Sequence, residues 1–167
     1  MLVGCHGHER EGAVLEPHEG DRLDVGAGTM QIYVDAETHP HARAGFVKFS
    51  LDAGQSLPVH KHTKTEEFAY FLSGEGEAVM VDADGRERVS RVAAEYVWYV
   101  APGQWHTIRN PGDEPLVLVF AVVPNEKQGL ISFFRRIGVE PGKEGVALSR
   151  AEFERIASEH DLILREE

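Results

Sequence analysis

Between residues 29 and 123 the chain consists of short apolar runs that turn signals separate. Glycine-containing turns such as Asp84-Gly85 fall between the runs, and glycine accepts the positive φ that tight hairpin turns require. Runs of this length predict strands, and many short strands at close spacing favour a sandwich or barrel over alternating strands and helices. The predicted strands are TMQIYV, GFVKFSL, EFAYFL, EAVMVD, VSRVA, YVWYV, WHTIR and LVLVFAVV. The sequence therefore predicts an all-β domain.

From residue 125 the pattern changes to helical spacing. A first helix is predicted through NEKQGLISFFRRIG, with Asn125 as its N-cap and apolar residues at helical intervals. A second is predicted in LSRAEFERIASEH, where Ser149 and Glu152 have the spacing of a capping box. Neither helix is long enough to be stable alone, so both should pack on the β domain.

The chain is expected to have three parts. Residues 1–27 are rich in Gly, Glu and His with weak periodicity, which indicates a loose N-terminal arm or short edge elements. Residues 28–124 form the β domain, and residues 125–167 form a C-terminal helical extension.

Composition and charge restrict the partners. The 167 residues are 42% hydrophobic and 27% charged, which is ordinary for one globular domain. The formal net charge of −11 repels phosphate backbones and anionic lipid, and no basic cluster offsets it. Nucleic acid is therefore not expected as a ligand, whereas small neutral or metal-bound molecules remain possible.

Three features bear on where the protein works. The longest apolar run, residues 116–123, is far shorter than the roughly 20 residues that a membrane span requires. The N-terminal sequence lacks a basic segment followed by an apolar one, so no secretory signal is predicted. Cys5 is the only cysteine, which suits a reducing compartment. We expect a cytoplasmic protein that does not bind membranes.

The stretch VHKHTKTEEFAYFLSGEG concentrates titratable side chains just before an apolar run. Side chains two residues apart on a strand point to the same face, so His60 and His62 should project together. Two imidazoles form half of a metal site, which a carboxylate and a third imidazole would complete. The candidates are Glu66 or Glu67 just downstream, and His106 in the later segment APGQWHTIRN.

Two other histidine-containing segments are weaker candidates. HPH at residues 39–41 has the same spacing, but no carboxylate pair and aromatic strand follow it, and its proline breaks a regular extended conformation. A solvated loop accounts for it better. CHGH at residues 5–8 could chelate a metal, but it lies in the N-terminal arm without a partner strand and is interpreted as a tail.

The spacing of residues around the first histidine pair follows a fixed pattern. Gly54 is followed after five residues by HKH at 60–62, after four more by Glu67, and after six more by Gly74. This arrangement resembles the first signature motif of the cupin family at every fixed position.

A second segment completes the resemblance. PGQWH at residues 102–106, with Asn110 three residues farther on, resembles the second cupin motif. Ala101 stands where that motif opens with proline, and Glu95 stands where its leading glycine falls. Neither position ligates metal in the family, so these departures concern the strand and turn rather than the site. With both motifs in order, residues 44–123 are similar to a cupin.

The resemblance implies a double-stranded β-helix, a jelly-roll barrel with a metal bound inside. Carried over by position, the ligands are His60, His62, Glu67 and His106. Glu67 is preferred to Glu66 because only Glu67 is separated by six residues from the final glycine of the motif. Three imidazoles and one carboxylate suit one divalent ion of Fe, Mn, Ni, Cu, Co or Zn, among which the sequence does not choose.

The resemblance also bears on assembly. Residues 68–72 are apolar on both faces of their predicted strand, so something should cover the outer face. An N-terminal strand or a second subunit would do so, and cupins are often homodimers.

The C-terminal sequence narrows the expected activity. GLISFFRRIGVEPGKEG and LSRAEFERIASEHDL resemble the extension of bacterial single-domain cupins that are similar to quercetinases. This implies a metal-dependent dioxygenase acting on a small aromatic or enolic molecule, with Glu67 as ligand or proton acceptor. Two alternatives stay open, a non-catalytic cupin that binds or senses a small metabolite and a non-redox metal-dependent isomerase or lyase.

Overall fold

Short strands and two helices make up the structure. The computed structural model describes residues 12–145 and 148–165. Its strands are β1 (Asp21–Asp24), β2 (Gly28–Val34), β3 (Gly45–Leu51), β4 (His60–Lys61), β5 (Glu66–Ser73), β6 (Glu75–Val81), β7 (Glu87–Ala93), β8 (Val97–Val100), β9 (Trp105–Arg109), β10 (Leu116–Val123) and β11 (Ile163–Leu164). The helices are α1 (Leu130–Ile137) and α2 (Arg150–Glu159). Each of the predicted strands is present, which confirms the all-β class with short C-terminal helices.

The strands form two antiparallel sheets. One sheet has the order β1-β2-β3-β10-β5-β8, and the other has the order β11-β4-β9-β6-β7. Strands that are distant in sequence are neighbours, because β10 pairs with both β3 and β5 while β9 pairs with both β4 and β6. Connections that pass between two sheets in this way produce a jelly roll rather than a meander. The predicted jelly-roll barrel is confirmed.

Alternating side chains build the core between the sheets. In β3 the buried positions include Val47, Phe49 and Leu51, and the residues between them are less buried. The same alternation in β10 buries Leu118 and Phe120, which lie opposite Phe49 and Val47 in the antiparallel register. Each large apolar side chain buried in this way contributes about 1.5–3 kcal/mol. The barrel is therefore held by side chains that period-two patterning already marks in the sequence.

Gly74 makes the tight passage from β5 to β6. Its φ is +82°, and a Cβ at this position would lie 2.4 Å from the carbonyl oxygen of Pro115. Only glycine fits such a close backbone approach in the left-handed region. The glycine that ends the first motif therefore has a structural role, and it fixes where the strand containing Glu67 ends.

The start of α1 differs from the prediction. Asn125 does not cap it, since its backbone N–H donates to Arg43 O and its side-chain amide donates to Ala42 O. A turn closed by Gly129 N–H donating to Glu126 O follows, and the helix begins only at Leu130. The Asn125 prediction is wrong because tertiary contacts of this side chain compete with local capping.

The second helix follows the prediction and returns the chain to the barrel. Ser149 and Glu152 form the capping box in both directions. The ring centroids of Phe133 in α1 and Phe153 in α2 are 5.4 Å apart and the ring planes meet at 82°, so the two rings pack edge to face and connect the helices. After α2 the chain forms β11, which pairs with β4 at His60. The C-terminal extension thus ends beside the first histidine pair.

The outer face of β5 is less covered than expected. The described N-terminal strand β1 lies at the opposite edge of the six-stranded sheet, so it does not cover β5. Phe68, Tyr70 and Leu72 in β5 are exposed.

Across the described residues, no helix has the length and apolar character needed to cross a membrane.

Candidate metal centre

Different strands bring the predicted histidines together. His60 in β4 is the direct antiparallel partner of His106 in β9, and His62 follows two residues after His60. The ring centroids are 4.3 Å apart for His60 and His106, 5.1 Å for His60 and His62, and 5.3 Å for His62 and His106. One nitrogen of each ring lies within 4.8 Å of one nitrogen of each of the others. Lys61 points away, with its ammonium 4.5 Å from the centre of the Trp105 ring.

Backbone carbonyls fix the tautomer of each ring. The Nδ1 atoms of His60, His62 and His106 lie 2.7, 2.9 and 2.9 Å from carbonyl oxygens of Pro58, Asp161 and Gln104. A carbonyl can only accept, so each Nδ1 must carry the proton and donate it. In the neutral ring Nε2 is then an unprotonated acceptor. These backbone contacts have the geometry of the hydrogen bonds that orient metal-bound histidines.

Two of the three unprotonated nitrogens are buried without partners. The Nε2 atoms of His62 and His106 are buried and have no hydrogen-bond partner among the described residues. Buried polar atoms without partners are costly and rare, so each requires an explanation. Bare imidazole nitrogens that converge in an enclosed space fit a borderline transition-metal ion. The three histidines therefore fit the ion that the sequence predicted.

Glu67 is the carboxylate that faces this cluster. Its Oε2 lies 3.7 Å from Nε2 of His62 and 3.8 Å from Nε2 of His106. In β5 the preceding residue, Glu66, points to the other face of the strand. The cavity in the barrel accordingly includes Glu67, and not Glu66, in its described lining. The structure places the Glu67 carboxylate beside the histidine cluster, and its role as a metal ligand stays a prediction.

Near neutral pH and without a cation, the three histidines are uncharged and Glu67 is only partly ionised. Burial lowers the pKa of His60 well below its ordinary value, and the neighbouring His106 and His62 lower it further. Burial likewise lowers the pKa of His62, and it lowers the pKa of His106 to about 4. Burial raises the pKa of Glu67 to about 7. The contacts of Glu67 with the histidines are therefore not salt bridges of a protonated imidazole, and a bound cation would favour ionised Glu67.

The cavity around this cluster is small and largely apolar. Its volume is about 30 Å³, room for an ion and very few other atoms. Among the described residues that line it, none is Lys or Arg. The lining comprises Met30, Phe49, Leu57, His60, Glu67, Trp98, His106, Ile108, Leu118, Phe120, Leu130 and Phe134.

Sequence reasoning missed Asp161. This residue follows α2 with a φ of 57°, and its carbonyl oxygen accepts the Nδ1–H of His62. Its carboxylate accepts hydrogen bonds from the loop of residues 63–65, between His62 and Glu67. No local signal in the sequence marks a contact between residues almost a hundred positions apart.

The two weaker candidates do not join the site. His39 lies in a turn, where its Nδ1 contacts Thr38 Oγ1 at 2.9 Å, and His41 is exposed. The group of convergent ligand atoms among the described residues does not include either of them. The segment CHGH at residues 5–8 lies outside the described residues.

Relatives of known sequence connect this chain to cupins. The Cupin domain family model matches residues 47–122. Oxalate decarboxylase OxdC of Bacillus subtilis (strain 168) is 33% identical over 70 residues, which cover 42% of this chain but only 18% of that protein. The tetracenomycin polyketide synthase protein TcmJ of Streptomyces glaucescens is 25% identical over 122 residues, which cover 64% of this chain and 78% of TcmJ.

Solved structures agree on the fold. An oxalate decarboxylase of Lactobacillus farciminis in a formate complex superposes with a TM-score of 0.57 and 24% identity, over 64% of this chain and 31% of that one. A Klebsiella pneumoniae protein with a double-stranded β-helix domain superposes with a TM-score of 0.55 and 22% identity, over 70% of this chain and 93% of that one. Sequence motifs, sheet order and these similarities lead to one assignment. Residues 47–122 of this chain are a cupin domain folded as a double-stranded β-helix.

Proposed function

We propose that this protein is a metal-dependent oxidoreductase, a dioxygenase that acts on a small uncharged organic molecule of aromatic or enolic type. The observation that carries the proposal is the convergence of imidazole nitrogens from His60, His62 and His106 beside the Glu67 carboxylate. His60, His106 and Glu67 also line an otherwise apolar cavity. All four are assigned as ligands of one divalent ion. Fe, Mn, Ni, Cu or Co would serve this chemistry, and zinc would favour the non-redox alternative.

The chain's own residues supply positioning and proton transfer. When bound, the ion supplies Lewis acidity and, if it is redox-active, a place for dioxygen. Glu67 is the one carboxylate in the described lining of the cavity. We therefore assign it as the base that accepts the proton of the substrate hydroxyl. The apolar walls exclude bulk water and strengthen the electrostatic interactions inside.

The lining distinguishes between classes of substrate. Oxalate is the compound named in OxdC and in several structural relatives, and it is a dianion at neutral pH. A buried dianion needs cationic partners, which the described lining does not provide apart from a metal. TcmJ, the relative of comparable length, is named for a polyketide synthase. An uncharged organic substrate therefore suits this cavity better than oxalate.

Oxygen consumption tests the proposal. Protein loaded with Fe, Mn, Ni, Cu or Co is incubated with flavonols, enediols and oxalate in air-saturated buffer, and dissolved oxygen is recorded. We expect one equivalent of oxygen consumed per molecule of an uncharged substrate, and none with His106→Ala. Glu67→Gln should retain some metal but lose turnover.

Other outcomes identify the alternatives. A lack of oxygen uptake with every metal would remove the redox assignment. Thermal shifts with a ligand but no turnover would favour a non-catalytic sensor. Conversion without oxygen uptake on zinc-loaded protein would favour an isomerase or lyase.

We also propose that the protein is a cytoplasmic homodimer. The single cysteine supports a reducing compartment. Five apolar side chains on the outer face of β5 and β8 support a second copy as the covering partner, since their exposed fractions run from 41% to 70%. They are Phe68, Tyr70, Leu72, Val97 and Tyr99.

A further inference from the structure

The C-terminal extension and the barrel enclose a second cavity, here called the C-terminal compartment. Its volume is about 100 Å³, which is larger than the 30 Å³ around the histidines. It is lined by Val25, Ala27, Ser56, Leu57, Pro58, His60, Phe133, Phe134, Ile137, Phe153, Leu162 and Leu164. Half of these residues belong to α1, α2 and the segment that follows α2, so the extension creates the compartment.

The compartment adjoins the metal centre. Leu57, His60 and Phe134 line both cavities, so these three side chains are all that the two linings share. Ser56 and Pro58, on another side of the compartment, are exposed to solvent. The compartment therefore lies between the protein surface and the histidine cluster.

The chemistry of the walls defines what the compartment can hold. Its described lining contains no Asp, Glu, Lys or Arg, and three of its residues are phenylalanines from the extension. Free energy is gained when an apolar group fills a compartment with such walls, because their apolar surface is removed from water. A charged group would lose its hydration there without gaining a partner.

We propose that the C-terminal compartment binds an uncharged aromatic ring, the body of the substrate, whose hydroxyl reaches the metal centre past His60 and Phe134. The ring-binding part stands on the compartment alone, and the role of the ring as part of a substrate rests on the proposed function. The barrel cavity is too small to hold a ring together with an ion, which is why a second compartment is needed.

Binding of fluorinated probes tests ring binding without any turnover. Zinc-loaded full-length protein is titrated with 4-fluorophenol and with 4-fluorobenzoate, and binding is followed by fluorine NMR. We expect 4-fluorophenol to bind at least 10-fold more tightly than the charged benzoate. Ala27→Leu adds three carbons to the lining of the compartment and should weaken 4-fluorophenol binding at least 10-fold. Ala53→Leu, at an exposed turn, is the matched control and should change nothing.

A second variant keeps the test informative if Ala27→Leu does not fold. Ile137→Ala enlarges the compartment and should shift preference from 4-fluorophenol towards 6-fluoro-2-naphthol. Zinc affinity should be the same in every variant, which separates this proposal from metal binding. Unchanged 4-fluorophenol binding in a folded, zinc-binding Ala27→Leu protein would overturn the proposal. Ring binding with no oxygen uptake by any metal form would instead count against the dioxygenase assignment alone.

A different observation carries a second inference, at the loop between two metal-centre residues. The carboxylate of Asp161 accepts from Thr63 N–H at 2.8 Å, Lys64 N–H at 3.1 Å and Thr65 N–H at 3.1 Å. The hydroxyls of Thr63 and Thr65 donate to it as well. One side chain thus satisfies every backbone donor of this loop.

The same residue holds His62 directly. The carbonyl oxygen of Asp161 accepts the Nδ1–H of His62 at 2.9 Å. Asp161 is one of the non-glycine residues with positive φ, a conformation that Asp and Asn tolerate better than other residues. From this geometry we infer that Asp161 is a positioning residue, through which the C-terminal extension sets the orientation of His62 and the affinity for metal.

Metal affinity in two matched variants tests this role. Asp161→Asn keeps the backbone contact to His62 and the positive φ, but it turns an amide NH₂ towards donors of the loop. We expect zinc affinity to fall 10- to 100-fold, as is typical when a group supporting a metal ligand is changed. Asp35→Asn is the control, because the Asp35 carboxylate also accepts from a local turn, at Glu37 and Thr38, and from Arg135, away from the histidines.

The spectroscopic readout separates positioning from stability. The visible spectrum of cobalt-loaded protein should change in Asp161→Asn, because it reports ligand geometry, and should not change in Asp35→Asn. Equal losses of zinc affinity in the two variants, or an unchanged cobalt spectrum and affinity in Asp161→Asn, would overturn the inference.

Discussion

At the scale of single residues, the backbone decides the chemistry of the imidazoles. Three carbonyl oxygens, from Pro58, Gln104 and Asp161, accept hydrogen bonds from the Nδ1–H groups and leave the Nε2 atoms unprotonated. One nitrogen of each ring lies within 4.8 Å of one nitrogen of each of the others. Three converging lone pairs repel in the absence of a cation, and burial keeps the rings from protonating to relieve this. A bound cation would relieve this repulsion, which supports the proposed metal site.

Removing one imidazole should remove the ion while the barrel stays folded. His106→Ala takes away one of three converging nitrogens, and we expect the zinc affinity to fall more than about 100-fold, beyond the effect of changes to supporting groups. Calorimetric titration measures the affinity, and circular dichroism confirms the fold. His41→Ala, in the exposed pair outside the site, is the matched control and should bind normally. If His106→Ala still bound one equivalent of zinc tightly, the assignment of His106 as a ligand would be contradicted.

The buried carboxyl makes the stability of the metal-free protein depend on pH. The pKa of Glu67 rises from 4.5 to about 7 on folding, so its favourable contribution is complete below pH 4.5 and is lost as the pH rises through 7. Glu67→Gln imitates the neutral acid and should therefore stabilise the metal-free protein at pH 8 by up to about 3 kcal/mol. The gain should vanish near pH 4.

Urea unfolding in the presence of EDTA at pH 4 and pH 8 measures this difference. Glu66→Gln makes the same change in charge one residue earlier and should not reproduce the gain. If Glu66→Gln gives the gain and Glu67→Gln does not, the roles of the two carboxylates are reversed.

The sequence predicted the inward-facing residues but not what holds them. His60 and His62 share a face because of strand alternation, and the motif spacing separates Glu67 from Glu66. The groups that orient the rings could not be predicted, because all three are backbone carbonyls whose positions depend on the fold rather than on residue type. Asp161 was missed for a similar reason, since its contacts with residues 62–65 exist only once the extension has docked.

At the scale of elements, strands proved easier to predict than the start of a helix. Buried and less buried side chains alternate along β3 and β10 because each strand presents one face to the core. The sequence shows this alternation directly. The start of α1 depends on a competition that sequence does not show, since Asn125 is engaged by residues 42–43. By contrast, the capping box of α2 is local, and it forms as predicted.

The capping box should contribute measurably to the stability of the extension. Ser149→Ala removes the side-chain acceptor at the N-terminus of α2, which typically costs about 1 kcal/mol. Because α2 precedes Asp161, fraying of this helix should also speed hydrogen exchange in the loop of residues 63–65. Ser158→Ala, on the same helix but bonded only to Arg155 O among the described contacts, is the control. The prediction would be contradicted if Ser149→Ala and Ser158→Ala gave the same result in both urea unfolding and hydrogen exchange.

At the scale of the whole molecule, the extension joins the two features that define the site. It forms half of the lining of the C-terminal compartment and supplies the hydrogen bonds that fix the loop after His62. A barrel without this extension would keep the histidine cluster but lose the compartment beside it. If the compartment binds a ring as proposed, the extension contributes to substrate recognition, and the compartment variants test this contribution directly.

The proposed homodimer depends on the outer face of β5 and β8. On the outside of β5 and β8 the rings of Phe68 and Tyr99 lie 5.0 Å apart, and Val97 is 70% exposed. β8 is also the edge of its sheet, so its outer backbone groups are open to pairing. A contiguous apolar face beside an open edge suits a two-fold contact in which the same surface of each copy meets the other.

Changing this face should therefore change the mass in solution. We expect the wild-type protein to sediment at twice the mass of the 18.5 kDa chain, and the double variant Val97→Lys with Tyr99→Lys to sediment as a monomer. Both positions are exposed in the monomer, so the barrel should stay folded and keep its zinc affinity. Val89→Lys places the same charge on an exposed strand position of the other sheet and should leave the dimer intact. A wild-type monomer at micromolar concentration would contradict the proposed dimer, whereas dissociation by Val89→Lys as well would locate the contact elsewhere.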